Sequence, residues 1–151
     1  MKINIAQLKT LAQIIVDNTD ARHYEWVTTE SHLSKKMTEL KASQFPLLVV
    51  VTPSYNIDAQ DHDSAKDISQ MLFFVLMRND FQGNKPTIEA TNADTTLEIV
   101  NKIQEYLLNG FPDHPDDCIF PSALDPGSIN IDPEWNYLGC DGWSISFQIK
   151  R

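Results

Sequence analysis

The chain has 151 residues, of which 42% are hydrophobic and 22% charged, and its formal net charge is −9. This length allows one domain with its own hydrophobic core. The acidic excess disfavours nucleic-acid binding, sequence-specific binding included, because that affinity comes largely from Lys and Arg displacing counterions from phosphate. The densest basic cluster is only the pair Lys35-Lys36.

The beginning of the chain lacks the pattern of a secretory signal, because Lys9 and two glutamines interrupt its apolar stretch. The longest apolar run, MLFFVLM at 71–77, is too short to cross a membrane. We expect Cys118 and Cys140 to be free thiols. These features predict a cytoplasmic protein without a membrane partner.

The first half of the chain predicts two helices followed by two strands. Residues 5–16 carry apolar side chains at the spacing of one helix face, and a second, shorter helix is predicted within 30–43. The run FPLLVVV at 45–51 predicts a strand that is buried on both faces and ends at Thr52-Pro53. Residues 68–78 predict the second strand.

The second half opens with turn-forming residues at 79–86 and the clearest helical pattern of the chain. Thr95 and Glu98 have the spacing of a capping box, and Asn109-Gly110 predicts the end of this helix. Residues 110–127 hold four of the eight prolines, which predicts an irregular segment that packs on the body.

The last part of the chain predicts two strands. Residues 127–135 alternate weakly and residues 141–151 alternate strictly, with NYLGCDG at 136–142 as the connection between them. The whole pattern predicts a single α+β domain over residues 1–151. We expect a mainly antiparallel four-stranded sheet with helices packed on one face, in the order α-α-β-β-α-β-β.

The acidic stretch NIDAQDHDSAKD at 56–67 lies between the first two predicted strands. A calcium loop has alternating Asp or Asn ligands, then glycine, then a closing glutamate. Counted from Asp61, that pattern fails at Ala65, Lys66 and Leu72. We therefore interpret the stretch as a solvated loop that connects two strands.

A second polar cluster, DHPDDC at 113–118, brings four potential metal or nucleophile groups together in sequence: His114, Asp116, Asp117 and Cys118. Zinc sites use spaced pairs of ligands, and only one cysteine lies here, so a surface segment is the favoured interpretation. A metal-dependent hydrolase that uses the Asp and His residues of 58–63 or 113–117 remains an alternative. No nucleotide-binding or nucleophile motif is present, which predicts no cofactor, no bound metal and no catalytic residues.

Three aromatic side chains close together near the end of the chain have two interpretations. Trp143 lies on the apolar stripe of the last strand and is expected in the core. Trp135 and Tyr137 lie at a strand end, where hairpin packing is the favoured interpretation. A subunit interface, for which Trp and Tyr are typical, is the alternative for these two residues.

The order of elements resembles the tail-completion proteins of long-tailed phages, the tail-terminator and minor-tail type carried in prophages. Five stretches carry the resemblance: QFPLLVVV, NIDAQDHDSAKD, ISQMLFFVLMRND, TTLEIVNKIQEYLL and INIDPEWNYLGCDGWSISFQIKR. The helix near residue 35 and the proline-rich 110–127 depart from the family's layout. The resemblance implies a non-enzymatic protein that forms a homo-oligomeric ring, typically of six copies, at the end of the tail tube.

On this basis the acidic loop would face the lumen or a partner. The predicted interface residues are Asp58, Asp61, Asp63, Trp135 and Tyr137. The expected partners are further copies of the chain and other assembly proteins, either in the cytoplasm or in a virion or prophage particle. The alternative is a small binding or adaptor module that acts as a monomer or dimer.

Overall fold

The computed structural model of the protein describes residues 2–79, 86–111 and 123–151. The elements, in chain order, are α1 (Ile5–Asn18), β1 (His23–Val27), α2 (Glu30–Met37), a 3-10 turn (Ala42–Gln44), β2 (Leu47–Val51), β3 (Ser54–Asp58), β4 (Lys66–Arg78), α3 (Pro86–Asn109), β5 (Leu124–Tyr137) and β6 (Cys140–Lys150).

The six strands form one mixed sheet in the order β1-β2-β4-β6-β5, with β3 paired to the other half of β4. Only the pairing of β1 with β2 is parallel, and the other pairings are antiparallel. The α+β class is therefore confirmed, and the prediction of four strands is wrong. The predicted strands correspond to β2, β4, β5 and β6, while β1 and β3 are additional, so the order of elements also differs.

Strand β1 has the sequence HYEWV and pairs in parallel with β2. The connection between them contains α2, as a parallel pairing needs a crossover rather than a tight turn. Four of its five residues are only half-buried. Since β1 is an edge strand, its sequence lacks the continuous apolar run that predicted β2.

Strand β3 corrects the interpretation of 56–67 as a loop. Residues 54–58 pair with 66–70 of β4, so the loop itself spans only 59–65. All five residues of β3 are exposed. A strand with no buried face has no apolar alternation, and only its hydrogen-bond pairing defines it.

The helices pack on both faces of the sheet, contrary to the prediction of one face. Alternate residues of β2 belong to different cores: Leu48 and Val50 pack with α1 and α3, whereas Leu47 and Val49 pack with α2. All of β2 except its last residue is buried, which confirms the prediction of a strand buried on both faces.

The three helices differ from their predicted bounds. Helix α1 extends two residues beyond 16, and α2 ends at Met37, short of residue 43. Helix α3 begins at Pro86 and not near Thr95, because a Thr-x-x-Glu spacing also occurs in helix interiors. There the Thr96 hydroxyl donates to the carbonyl of Asn92 at 2.6 Å. None of the described helices is long and apolar enough to span a membrane.

Strands β5 and β6 form a hairpin whose turn is shorter than predicted. Most of residues 136–142 belong to the strands, and only Leu138 and Gly139 form the turn, both with positive φ. The carboxylate of Asp141 accepts the backbone N–H of Asn136 at 2.8 Å and holds the strand end before the turn. In β6 the predicted alternation is confirmed, with Ile145, Phe147 and Ile149 in the core.

Much of the predicted irregular segment 110–127 lies outside the described residues. The part that is described differs from the prediction, because Leu124–Tyr137 is one long strand that already includes Gly127. Its pairing with β6 shifts register twice along its length. An edge strand tolerates such irregularity, and it also tolerates Pro133 opposite Trp143.

Candidate functional site

The most prominent exposed element is the hairpin formed by β3 and the first half of β4, here called the β3 hairpin (residues 54–70). Its outer strand pairs only with β4 in the described part of the chain. Two large apolar side chains are exposed on it, Tyr55 at 37% and Ile57 at 68%. An exposed outer strand with apolar side chains can accept a strand from another chain.

The base of the β3 hairpin is braced by the beginning of the chain. The Tyr55 hydroxyl donates to the carbonyl of Ile3 at 2.6 Å, and the Ile3 N–H donates to the buried Ser69 hydroxyl at 3.3 Å. Ile3 itself is fully buried in the core with α1 and α3. The hairpin is therefore anchored at its base and exposed along its outer edge.

The three predicted aspartates all lie at the far end of this hairpin. The Asp61 carboxylate accepts the backbone N–H groups of Asp63 at 3.1 Å and Ser64 at 2.8 Å. Hydrogen bonds from the Ser64 side chain and backbone lower the pKa of Asp61. Asp58 lies 4.0 Å from the ammonium of Lys150. Asp61 thus shapes the loop, and both Asp61 and Asp63 are exposed to solvent.

The two predicted aromatic residues lie elsewhere and differ from each other. Trp135 is 67% exposed. Tyr137 stacks on Phe74 with ring centroids 5.0 Å apart, and it packs against the core on the α2 face. Burial, followed by the charges of Glu30 and Glu134, raises the pKa of Tyr137. Tyr137 is thus packed against the core, and Trp135 is the more exposed of the two.

The aspartates and the aromatic residues are not brought together. Asp58 pairs with Lys66 at the start of β4, and Tyr137 pairs with Cys140, which is opposite Arg78 at the end of β4. The thirteen residues of β4 separate these positions by roughly 40 Å at ~3.3 Å per residue. The predicted residues therefore belong to two separate surfaces.

A cleft beside the open edge of β1 was not predicted from the sequence; it is called the β1 cleft below. Its volume is about 450 Å³. Its walls come from α1, β1 and α2, which are distant in sequence. The lining residues are Lys9, Gln13, Val16, Arg22, His23, Tyr24, Glu25, Trp26 and Lys36.

The carboxylate of Glu25 contacts two other side chains that line the β1 cleft. Glu25 binds the imidazole of His23 at 2.9 Å and the ammonium of Lys36 at 3.1 Å. Burial raises the pKa of Glu25, but the hydrogen bonds and charges of these two partners outweigh burial, so its pKa is lowered. Lys9 lies over the ring of Trp26, with its ammonium 5.2 Å from the ring centroid.

The β1 cleft is basic on an acidic protein. Lys9, Arg22 and Lys36 face one acidic residue, Glu25, while the whole chain carries −9. No linear motif predicts this cluster, because the three cations come from α1, the residue before β1 and α2. Only the packing of both helices against one strand brings them together.

Metal ligation has no support in the part of the chain that the structure describes. No three His, Cys, Asp or Glu side chains converge there in a way that could hold an ion. The stretch 113–118, with His114, Asp116, Asp117 and Cys118, lies outside the described residues. No protein-family model matches the chain, and no curated protein matches it.

Proposed function

We propose that this protein is a non-enzymatic assembly protein that forms a homo-oligomeric ring, as its resemblance to phage tail-completion proteins implies. The observation that supports this proposal best is the exposed outer edge of the β3 hairpin. Ile57 is 68% exposed there, on a strand whose five residues are all exposed. Strand addition between copies would cover this edge and bury the apolar side chains.

Within the described residues, β1 and β3 each have one edge without a paired strand, and the two edges differ in a way that favours β3 for pairing with a second copy. The ammonium of Lys36 donates to the outward carbonyl of Trp26 on β1 at 2.6 Å, and a lysine at an edge blocks further strand pairing. On β3, charge appears only at Asp58, the last residue of the strand. The β3 edge is therefore the better acceptor for a strand of a second copy.

The net charge fits a ring through which DNA passes. A chain with −9 repels phosphate, so a channel lined by such subunits would let a duplex slide without binding it. In this role the expected partners are other copies and neighbouring assembly proteins. The corresponding location is the cytoplasm, or a particle assembled there.

The proposal is tested by measuring the mass of the protein with light scattering during size exclusion, over a range of concentrations. We expect a discrete oligomer near six copies for the wild type and a shift to smaller species for Ile57→Lys. The matched control is Leu108→Lys, which changes an exposed apolar residue of α3 instead. A wild type that stays monomeric at every concentration would overturn the proposal.

A binding or adaptor module is the second candidate, and the β1 cleft is the observation that favours it. A cleft of about 450 Å³ lined by cations and by the ring of Trp26 has the volume of a small-ligand site. The same experiment separates the two functions, because an adaptor that acts alone would remain a monomer.

A further inference from the structure

We infer that the acidic tip of the β3 hairpin (residues 58–65) of one copy binds in the β1 cleft of the next copy, so that the ring contact is head-to-tail. This inference rests on the proposed function, since it assumes self-assembly, and it names the surface that receives the hairpin. The occupant of the cleft is thus a second copy of this chain.

Charge complementarity is the first argument. Two copies that each carry −9 repel each other over most orientations. The β1 cleft is an exception, because three of the twelve basic residues of the chain line it. The tip of the β3 hairpin is acidic, with Asp58, Asp61 and Asp63 within six residues, although Asp58 already lies 4.0 Å from the ammonium of Lys150. Placing the tip in the cleft matches the two surfaces and orients the copies.

The exposure and existing hydrogen bonds of each charged group indicate which two groups would meet across the contact. In the cleft, Lys36 is engaged by Glu25 and by the carbonyl of Trp26, whereas Arg22 is exposed. At the tip, Asp61 and Asp63 are both exposed, but the Asp61 carboxylate already accepts two backbone N–H groups of its own loop. Arg22 and Asp63 are therefore the groups placed to form a new ion pair, for which guanidinium and carboxylate have matching geometry.

A single copy cannot make this contact with itself. Glu25 in the cleft pairs with Val49, and the chain then continues through the rest of β2 and all of β3 before it reaches Asp61. That course carries the tip roughly 30 Å beyond the cleft, at ~3.3 Å per residue. The two surfaces face different neighbours, and such unlike contacts close into a ring when the rotation between copies allows it.

The experiment uses charge reversal in the full-length chain. Asp63→Lys places a cation at the tip, and Arg22→Glu places an anion in the cleft. We expect each variant alone to associate roughly tenfold more weakly than the wild type, because like charges then meet at every contact. The controls are Glu105→Lys and Lys102→Glu, which make the same charge changes on the exposed surface of α3 and should leave assembly unchanged.

The decisive measurement is an equimolar mixture of the two variants. In a head-to-tail ring that alternates them, the cationic tip of one variant meets the anionic cleft of the other, and the unaltered Asp63 tip meets the unaltered Arg22 cleft. Every contact is then favourable again, so we expect the mixture to recover the wild-type mass in light scattering. Normal assembly of either single variant, or a mixture no larger than its components, would overturn this contact while leaving the ring itself intact. A monomeric wild type would instead reject the proposed function and this inference together.

Discussion

Lys36 of α2 donates a hydrogen bond from its ammonium to the backbone carbonyl of Trp26 in β1 at 2.6 Å. The carbonyl of Val27, the next residue, accepts from Thr52 at the end of β2, so the Trp26 carbonyl points to the opposite, open side. The side chain of Lys36 thereby occupies the edge of β1 to which a further strand would otherwise pair. The same ammonium binds Glu25, which links edge protection to the charge of the β1 cleft.

Glu25 should make the stability of the protein depend on acid pH. Its pKa is lowered from 4.5, so its contribution to folding is present above about pH 4.5 and is lost as the pH falls through the lower folded value. We expect Glu25→Gln to be less stable than the wild type by about 0.5–1 kcal/mol at pH 7. Urea unfolding at pH 7 and pH 3 measures this difference, which should shrink at pH 3. If the difference in unfolding free energy is the same at both pH values, the lowered pKa of Glu25 is contradicted. The exposed Glu105→Gln serves as control.

Arg78 should anchor the end of α2 to the sheet. Its guanidinium donates to the carbonyls of Met37 at 2.9 Å and Leu40 at 3.2 Å, and it lies over the ring of Phe45. We expect Arg78→Met to lower the free energy of unfolding by about 2–3 kcal/mol, because the carbonyls of Met37, at the end of α2, and Leu40, just after it, lose a charged donor. Denaturant unfolding at low protein concentration measures the loss. Arg22→Met should change stability by less than about 0.5 kcal/mol, and an equal effect of both variants would argue against the anchor.

Gly142 should tolerate no side chain. A methyl group at this position would lie 1.9 Å from the carbonyl oxygen of Val75 on the neighbouring strand β4. We expect Gly142→Ala to destabilise the protein by about 3 kcal/mol or more, because backbone must move to relieve the overlap. Gly127→Ala is the matched control, since the nearest atom there is 3.7 Å away and the contact is ordinary. Thermal unfolding of both variants tests this prediction, and similar melting temperatures would refute it.

Cys140 should be an unreactive thiol in the folded protein. It is fully buried, and burial raises its pKa from 9.0 to about 11. In a Cys118→Ser background we expect no reaction with a thiol reagent at pH 8 until the protein is unfolded. As the pH rises, the thiol of the unfolded chain ionises before the buried thiol of the folded protein does. The stability contributed by the neutral buried thiol is therefore complete below pH 9 and is lost between about pH 9 and 11. Rapid labelling of the native protein at pH 8 would show that this burial is wrong.

Elements with a buried face were predictable, and those without one were not. The apolar run of β2 and the alternation of β6 record their burial directly in the sequence. Strand β3 is exposed at every residue and β1 is half-buried, so neither has a comparable pattern. The start of α3 was misplaced because the capping-box spacing at Thr95 is a local signal that recurs inside helices.

Of the two surfaces of the candidate site, the sequence predicted one and not the other. The acidic tip was visible as a run of aspartates, because its residues are neighbours in the chain and remain neighbours in the loop. The β1 cleft was invisible, because Lys9, Arg22 and Lys36 are separated by more than a dozen residues each. Their proximity depends on α1 and α2 lying on opposite faces of the sheet beside the same edge.

The amino-acid sequence by itself determined the α+β class, the buried strands β2, β4 and β6, and the acidic character of the surface, since each follows from local periodicity or composition. Tertiary structure alone decided that the sheet is mixed and six-stranded, that helices cover both faces, and that a basic cleft lies beside β1. Strand pairing and the meeting of distant charges depend on which surfaces of the chain become neighbours, and that is a property of the packed fold.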